Sequence, residues 1–404
     1  MQVDFPNIRH MRVFLETART GSVSVAAQRC HLSQPAATQA LSRLEAAIGT
    51  QLLIRKRRQA VLTVCGAAFA YRARRALENL RTAARAALRE AGEKPGRGGT
   101  FDLKITAAQL RGLTAIADTG SFTIAARELG VSQPTVHRSA RNLEALSGVP
   151  FFTAHHSGVR LTPAAETFAT GAKLAQGEIR LGLEEISREL GEEKATFVLG
   201  SLPLARTSIV PKAIHKMVTR FPGIQIRVVE GRYSELLRSL RDGDLDCLIG
   251  ALRHPDPVED IRQERLFDDA LAIVAHPHHP LAGRENLTLS DTLRYPWIAP
   301  PKTTPAGQYL FETLKIHRMP ETPVRVVASS LAILRGVLSE GDYVSIVSRH
   351  QISVDEGLGA ITVLNVELAG HIRDIGLTYR SHWKPTETQA CFIEYLREFS
   401  RVSR

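Results

Sequence analysis

The chain carries one helical signature twice, in a single register 99 positions apart. The first copy places Phe14, Gly21-Ser22, Ala26-Ala27, Ser33-Gln34-Pro35, Leu44-Glu45 and Leu62-Thr63 in order. The second places Leu113, Gly120-Ser121, Ala125-Ala126, Ser132-Gln133-Pro134, Leu143-Glu144 and Leu161-Thr162, with no insertion or deletion. So many matches in one register point to duplication of a whole folding unit, and an internal repeat decides architecture ahead of local propensity.

Each unit reads as three helices. Gly21 and Gly120 suit a helix end, and Ser22 and Ser121 suit the cap of the next helix. Ala26-Ala27 and Ala125-Ala126 are small enough to let a neighbouring helix cross closely. Ser33 and Ser132 are N-cap candidates for a third helix, with Pro35 and Pro134 near its first turn. Ala37, Leu41 and Leu44, and Val136, Ala140 and Leu143, give that helix a buried stripe. Its other face carries Gln34, Thr38, Gln39 and Arg43 in copy one, and Gln133, His137, Arg138 and Arg141 in copy two. Polar side chains near the start of such a helix are the groups that read base edges in the major groove. The candidate DNA-reading set is therefore Ser33, Gln34, Pro35, Thr38, Gln39 and Arg43, with Ser132, Gln133, His137, Arg138 and Arg141. A three-helix core whose polar face merely meets water is the structural alternative.

Charge separates the two copies. Residues 1–95 hold sixteen Lys+Arg against six Asp+Glu, whereas residues 96–195 hold eleven of each. Phosphate neutralisation dominates nucleic-acid affinity, so the first copy is the better electrostatic candidate. Arg55-Lys56-Arg57-Arg58 precede Val61-Leu62-Thr63, a pattern suited to a hairpin wing against the phosphate backbone. Copy two has Ala154-His155-His156-Ser157-Gly158 there, a foldable wing with a weaker grip.

A long helix is expected after each wing. Over 67–92 the positions Ala70, Ala73, Leu77, Leu80, Ala84, Ala87 and Ala91 form a heptad-like seam flanked by arginines. At ~1.5 Å per residue that helix would run roughly 39 Å. Residues 93–99 read as a flexible linker. A second seam over 163–191 uses Phe168, Ala172, Ala175, Ile179, Leu183, Ile186 and Leu190. The structural alternative for each seam is packing against its own domain. From about residue 195 strands and helices alternate: strand 197–200, strand 224–229, helix 234–242, strand 245–250. Such alternation argues for a parallel sheet with crossover helices.

The run Ser33-Gln34-Pro35-Ala36-Ala37-Thr38-Gln39-Ala40-Leu41-Ser42-Arg43-Leu44-Glu45, then Leu52-Leu53-Ile54-Arg55 and Leu62-Thr63, resembles the N-terminal domain of LysR-type transcriptional regulators. Ser132-Gln133-Pro134-Thr135-Val136-His137-Arg138 with Leu143-Glu144 resembles it again. Gly243-Asp244-Leu245-Asp246 and Leu271-Ala272-Ile273-Val274-Ala275, followed by His278-His279-Pro280-Leu281-Ala282, resemble that family's effector domain. Most of the family has one helix-turn-helix domain, so the second copy is a departure, as is Ala154 in place of the family's wing arginine. Gly341-Asp342-Tyr343 also departs from the usual G-x-G. Tyr295-Pro296-Trp297 is similar to the galactose-binding-protein-regulator branch.

The resemblance implies two tandem all-α winged helix-turn-helix domains with long linker helices, then a two-lobed α/β effector domain like a periplasmic binding protein. The implied domains are 1–65 (first DNA-binding domain), 66–99 (linker helix and linker), 100–165 (second DNA-binding domain), 166–194 (dimerisation helix) and 195–404 (effector domain). Within the last, lobe one takes 196–271 and 352–404, and lobe two takes 272–351. The implied partners are double-stranded promoter DNA, a small-molecule effector and RNA polymerase for an activator. In the family the linker helix pairs two subunits, which implies a homodimer or homotetramer and an operator with inverted repeats.

Open α/β sheets bind ligands beyond their strand ends. That rule selects Ser201 and Leu202 after the first strand, Arg232 and Tyr233 before a helix, Thr303 and Thr304, and Ser329 and Ser330 before the helix at 331–340. Hydroxyls and free N–H groups at helix starts suit an organic acid or a sugar, and Arg232 suits a bidentate anion contact.

Catalytic signatures are missing: the sequence has no G-x-S-x-G elbow and no phosphate-binding P-loop. No cofactor is expected. His276, His278 and His279 are interleaved with Pro277 and Pro280, which argues against a metal site. Cys30, Cys65, Cys247 and Cys391 form no C-x-x-C pair and read as reduced thiols, small core hydrophobes of a cytoplasmic protein. The apolar stretch at 60–71 is too short to span a bilayer, and no secretory signal is visible. The leading reading is an effector-modulated DNA-binding regulator. Its rival is a solute-binding or enzymatic α/β module whose helical N-terminus serves assembly only.

Overall fold

The duplication is carried through every element boundary. In the computed structural model, which describes residues 5–56, 59–92, 100–156, 158–253, 258–319, 323–370 and 372–401, copy one comprises α1 (Ile8–Thr20), α2 (Val23–Arg29), α3 (Gln34–Ile48), β1 (Leu53–Lys56), β2 (Gln59–Leu62) and α4 (Val64–Glu90). Copy two comprises α5 (Ala107–Thr119), α6 (Phe122–Glu128), α7 (Gln133–Ser147), β3 (Phe152–His155), β4 (Gly158–Leu161) and α8 (Pro163–Glu189), each bound 99 residues on from its mate. The expectation of all-α units needs correction. Each copy closes on a two-stranded antiparallel hairpin, with Leu53 opposite Leu62 and Phe152 opposite Leu161.

The repeated residues explain why both copies fold alike. Gly21 (φ 67°) and Gly120 (φ 63°) end α1 and α5 in the left-handed region, where a side chain would be strained. Ser22 and Ser121 accept from the N–H groups of Val25 and Ile124 at 3.4 Å, capping α2 and α6. The glutamate of each Leu-Glu pair ties the third helix to the hairpin. Glu45 Oε1 accepts from Leu52 and Leu53 N–H at 3.0 and 3.1 Å, and Glu144 Oε1 from Phe151 and Phe152 at 2.8 and 3.1 Å. Thr63 and Thr162 cap α4 and α8, accepting from Gly66 and Ala165 N–H. Their hydroxyls also donate to the carbonyls of Gln51 and Pro150 at 2.9 Å.

The chain divides into two compact units, Met1–Ala195 with Arg241–Asp244, and the remainder. In the first unit a single apolar core runs through both copies, from Phe14, Leu41 and Phe69 to Leu113, Leu143, Phe168 and Ile186. Its spine is α4 laid antiparallel against α8. Glu90 meets Thr167 at 2.9 Å, while Arg72 meets Glu178 at 3.1 Å. The linker helices expected at 67–92 and 163–191 thus pair with each other inside one chain. The linker at 93–99 lies outside the described residues.

The second unit is built on one continuous ladder of nine strands. Its strands are β5 (Ala195–Ser201), β6 (Ile224–Val229), β7 (Cys247–Ala251), β8 (Ile261–Ala275), β9 (Trp297–Ala299), β10 (Val324–Val327), β11 (Val344–Ser348), β12 (Thr362–Leu364) and β13 (Ile372–Arg380). Between them run α9 (Ile209–Arg220), α10 (Tyr233–Asp242), α11 (Leu289–Thr292), α12 (Pro305–Gln308), α13 (Leu331–Ser339) and α14 (Ser353–Gly357), with α15 (Glu387–Arg401) last. The order β10-β9-β11-β8-β13-β7-β5-β6 makes two lobes that share β8. Residues 261–270 of β8 pair with β13, whereas its end from Leu271 pairs with β11 and β12.

Both faces of each lobe are covered. Phe197, Ile249, Phe267 and Phe392 pack on one side of lobe one, and Leu202, Leu236, Leu240 and Leu248 on the other. In lobe two, Trp297 and Ile346 face one core while Val274 and Ile298 face the other. The return to lobe one comes later than the expected residue 352. Ile352, Ile361 and Leu364 pack in lobe two, and β13 is the strand that crosses back. Short β12, three residues long, carried too little pattern to mark this.

Candidate nucleic-acid interface

The turn between α2 and α3 needs one residue in the left-handed region. Copy one places His31 there (φ 53°) and copy two Gly130 (φ 64°). The next N–H then reaches back, from Leu32 to Ala27 O at 2.9 Å and from Val131 to Ala126 O at 3.0 Å, the closing bond of a Schellman-type stop. The third helix emerges with its stripe inward: Ala37, Leu41 and Leu44, or Val136, Ala140 and Leu143, are all buried.

The opposite face is open in both copies. Ser33, Gln34, Pro35, Thr38, Gln39 and Arg43 are exposed on α3 or its cap, and Ser132, Gln133, His137, Arg138 and Arg141 are exposed at the matching end of α7. Ser33 caps α3, accepting from Ala36 N–H at 3.4 Å. Ser132 departs from its expected role, because its hydroxyl meets Thr135 Oγ1 at 2.8 Å and makes no capping bond. Burial and the nearby cations Arg43 and Arg9 hold the His10 imidazole below its ordinary pKa. In copy two Arg141 forms an ion pair with Glu144 at 2.7 Å, and the His137 ring packs 5.2 Å from Phe122.

Arg55 and Lys56 lie on β1, while Arg57 and Arg58 fall outside the described residues. At the matching hairpin Ala154 stands opposite Val159, and the His155 and His156 rings lie 3.9 Å apart. Both hairpins are anchored to the end of the first helix, Ala60 N–H to Gly21 O at 2.8 Å and Val159 N–H to Gly120 O at 3.1 Å. Arg12, by contrast, is committed to the fold, reaching Asp102 O at 2.8 Å.

In the second unit the effector candidates fall into two sets. Ser201 ends β5 and Arg232 and Tyr233 follow its neighbour β6; Thr303 and Thr304 follow β9, and Ser329 and Ser330 follow the adjacent β10. Ser201 is fully buried, its hydroxyl donating to Leu202 O at 3.3 Å. Leu202 needs correction, since its side chain is core: a Cβ on Gly250 would come within 2.4 Å of it. Thr304 caps α12, accepting from Gly307 N–H at 3.1 Å and donating to Pro301 O at 2.8 Å. Ser330 caps α13 through Ile333 N–H at 3.4 Å. Arg232 and Thr303 are exposed.

Three cations there escaped the sequence reading. Arg206 donates to Ser201 O at 2.8 Å and pairs with Glu230 at 2.9 Å. The Arg253 guanidinium stacks 4.7 Å over the Tyr233 ring. Burial lowers the pKa of both arginines. Arg373 reaches buried Asp269, which also accepts from Ser348 Oγ at 2.7 Å where the strands cross between lobes. Isolated arginines give no periodic signal. The histidines at 276–279 are occupied locally: Nδ1 of His276 and of His279 accept from the N–H groups of His278 and Leu281 at 3.0 and 3.1 Å. Among the described residues all four cysteines are free thiols, and no helix is long and apolar enough to cross a membrane.

Comparison with known proteins agrees with this layout. Residues 190–401 match the family described as LysR substrate binding domain. Residues 8–67 and again 107–166 match the family described as bacterial regulatory helix-turn-helix protein, lysR family. The transcriptional regulator GalR of Pseudomonas putida is 29% identical over 385 residues, covering 94% of each chain. The regulator PcaQ of Agrobacterium fabrum is 28% identical over 298 residues, 74% of this chain and 96% of PcaQ. Among solved structures, a full-length OxyR variant from Pseudomonas aeruginosa superposes with a TM-score of 0.53 at 24% identity, covering 73% of this chain and 94% of OxyR. That likeness bears on the fold alone.

Proposed function

Because the chain belongs to the LysR family of bacterial transcriptional regulators, we propose that its tandem winged helix-turn-helix copies grip promoter DNA unequally, with copy one the principal reader. The protein is a DNA-binding regulator with an effector-binding domain, not an enzyme. The observation that carries the unequal reading is the open polar face of α3, with Thr38, Gln39 and Arg43 side by side, next to a hairpin sequence of four basic residues. Base contacts by Gln39 and Arg43 supply specificity, while Arg55, Lys56, Arg57 and Arg58 supply phosphate grip. Copy two offers His137 and Arg138 to bases, and its Arg141 is shared with Glu144.

The effector is an organic acid or a sugar held between the lobes. Ser201, Arg232, Tyr233, Thr303, Thr304, Ser329 and Ser330 are the proposed contacts, with Arg206 and Arg253 added for an anion. Leu202 serves there through the core it closes. A ligand acts by favouring one arrangement of lobes over another, since it can only bias states that differ in affinity for it. The working form is a cytoplasmic homo-oligomer, dimer or tetramer, joined through effector domains and contacting RNA polymerase where it activates.

The test is a salt titration of full-length protein on DNA from upstream of its own gene. Specific binding should weaken steeply with salt, and Gln39→Ala should change relative affinity among base variants by ~1–3 kcal/mol. An unchanged base preference would remove α3 as the reading element.

A further inference from the structure

The two glycine contacts of the α4–α8 seam map onto one another under the 99-residue offset. Arg72 packs against Gly182, where an added Cβ would lie 3.0 Å from Arg72 Cβ. Shifting both partners by one repeat gives Gly171 against Ala83, where an added Cβ would lie 2.1 Å from Ala83 Cβ. Contacts that map onto one another in this way are those of a local two-fold axis, which runs where residues 77–78 face 176–177. Each long helix is clamped to its own hairpin by the same threonine, Thr63 or Thr162. The axis therefore exchanges α3 and α7 as well.

The seam is nevertheless built for two different helices. Arg72 is 1% exposed. It donates to Glu178 at 3.1 Å and to Glu185 at 3.1 Å through Nε, and Arg75 adds a bond to Glu178 at 2.8 Å. Pairing α4 with a second α4 in this geometry would put Asn79 and Ala86 where Glu178 and Glu185 stand. Pairing α8 with a second α8 would put Gly171 and Leu174 where Arg72 and Arg75 stand. Either exchange buries charge without its partner, the arrangement that destabilises most. Sterics further oppose an α4–α4 pair, which would set Arg72 against Ala83 where each now faces a glycine.

Resting on the reading of α3 and α7 as DNA-contacting helices, we propose that a single chain is a complete pseudo-dimeric reader whose operator has two inverted but non-identical half-sites. A two-fold protein demands matching half-sites. Here the geometry is two-fold and the chemistry is not. Thr38, Gln39, Ser42 and Arg43 are exchanged for His137, Arg138, Arg141 and Asn142, all of them exposed. Gln39 suits adenine in one half, whereas Arg138 suits guanine in the other. The inverted repeat needs no second chain.

The experiment uses full-length protein on an operator that it selects from a random-sequence duplex pool. Native mass spectrometry counts chains per pair of protected half-sites, and base-resolved affinity is measured for Gln39→Ala and Arg138→Ala, both surface changes. One chain per pair is expected, so that a dimer protects two pairs of half-sites and a tetramer four. Gln39→Ala should shift preference about tenfold in one half only, and Arg138→Ala in the other half only. Two chains per pair, with Gln39→Ala altering both halves and Arg138→Ala neither, would overturn the proposal. Unaltered preference for both variants would overturn instead the DNA-reading assignment beneath it.

Discussion

Arg72 on α4 donates to Glu178 on α8 across 3.1 Å, although the two residues are 106 apart in sequence and both side chains are nearly inaccessible to water. This bond joins the two copies at a point where neither has an equivalent of its own. Replacing Arg72 with Ala leaves Glu178 with Arg75 alone and strips Glu185 of its partner. We expect a loss of ~3–5 kcal/mol in the stability of the first unit. Exposed Arg74, two positions away, should cost no more than about 0.5 kcal/mol when changed to Ala. Urea unfolding of both variants gives the comparison.

Glu45→Ala should loosen the wing of copy one. It removes the acceptor for two backbone donors, Leu52 and Leu53 N–H, and a buried donor left unmet costs ~1–3 kcal/mol. DNA affinity should fall with little change in base preference, because the hairpin positions phosphates and α3 reads bases. Fluorescence anisotropy on matched and mismatched duplexes separates the two.

The copies should differ in salt response. Arg57→Ala removes one phosphate contact and should flatten the slope of log K against log salt by ~0.9. Arg160→Ala, exposed on the weaker hairpin, should flatten it by less. Equal slopes would mean that both wings grip alike.

The effector unit should lose stability in acid through two histidines. Burial lowers the pKa of His279 and of His350 from 6.5. A histidine held neutral in this way contributes stability that is present above its unfolded value and is lost as pH falls through the lower folded value. Thermal unfolding should therefore worsen as pH drops below about 6.5, the unfolded histidine range. The drop should be shallower in His350→Gln. A pH-independent melting temperature over that range would contradict the burial of these rings.

Much of the reading head was legible because its cues are local. Gly21, Ser22 and Ser33 act on neighbouring backbone, so local cues and register marked the three helices, the hairpin and the long helix of each copy. The partner of each long helix was not legible. A heptad stripe such as Ala73, Leu80, Ala84 and Ala87 shows which face is buried, but not what it meets. Arg72 looked like a flanking surface charge because its counterions, Glu178 and Glu185, lie a full repeat away. The same limit hid the lobe boundary, where Ile352 and Leu364 join a core set by strand pairing. It also hid Arg206 and Arg253, whose surroundings come from distant loops.

The pairing of α4 with α8 within one chain can be read directly. Glu90 and Thr167, in contact at 2.9 Å, are replaced by cysteines and bridged with a short bismaleimide in an equal mixture of isotopically light and heavy chains. Peptide mass spectrometry then identifies which chains supplied each bridged pair. Bridges should join α4 to α8 with both peptides light or both heavy. Mixed-isotope bridges in equal abundance, or α4 joined to α4, would contradict the account.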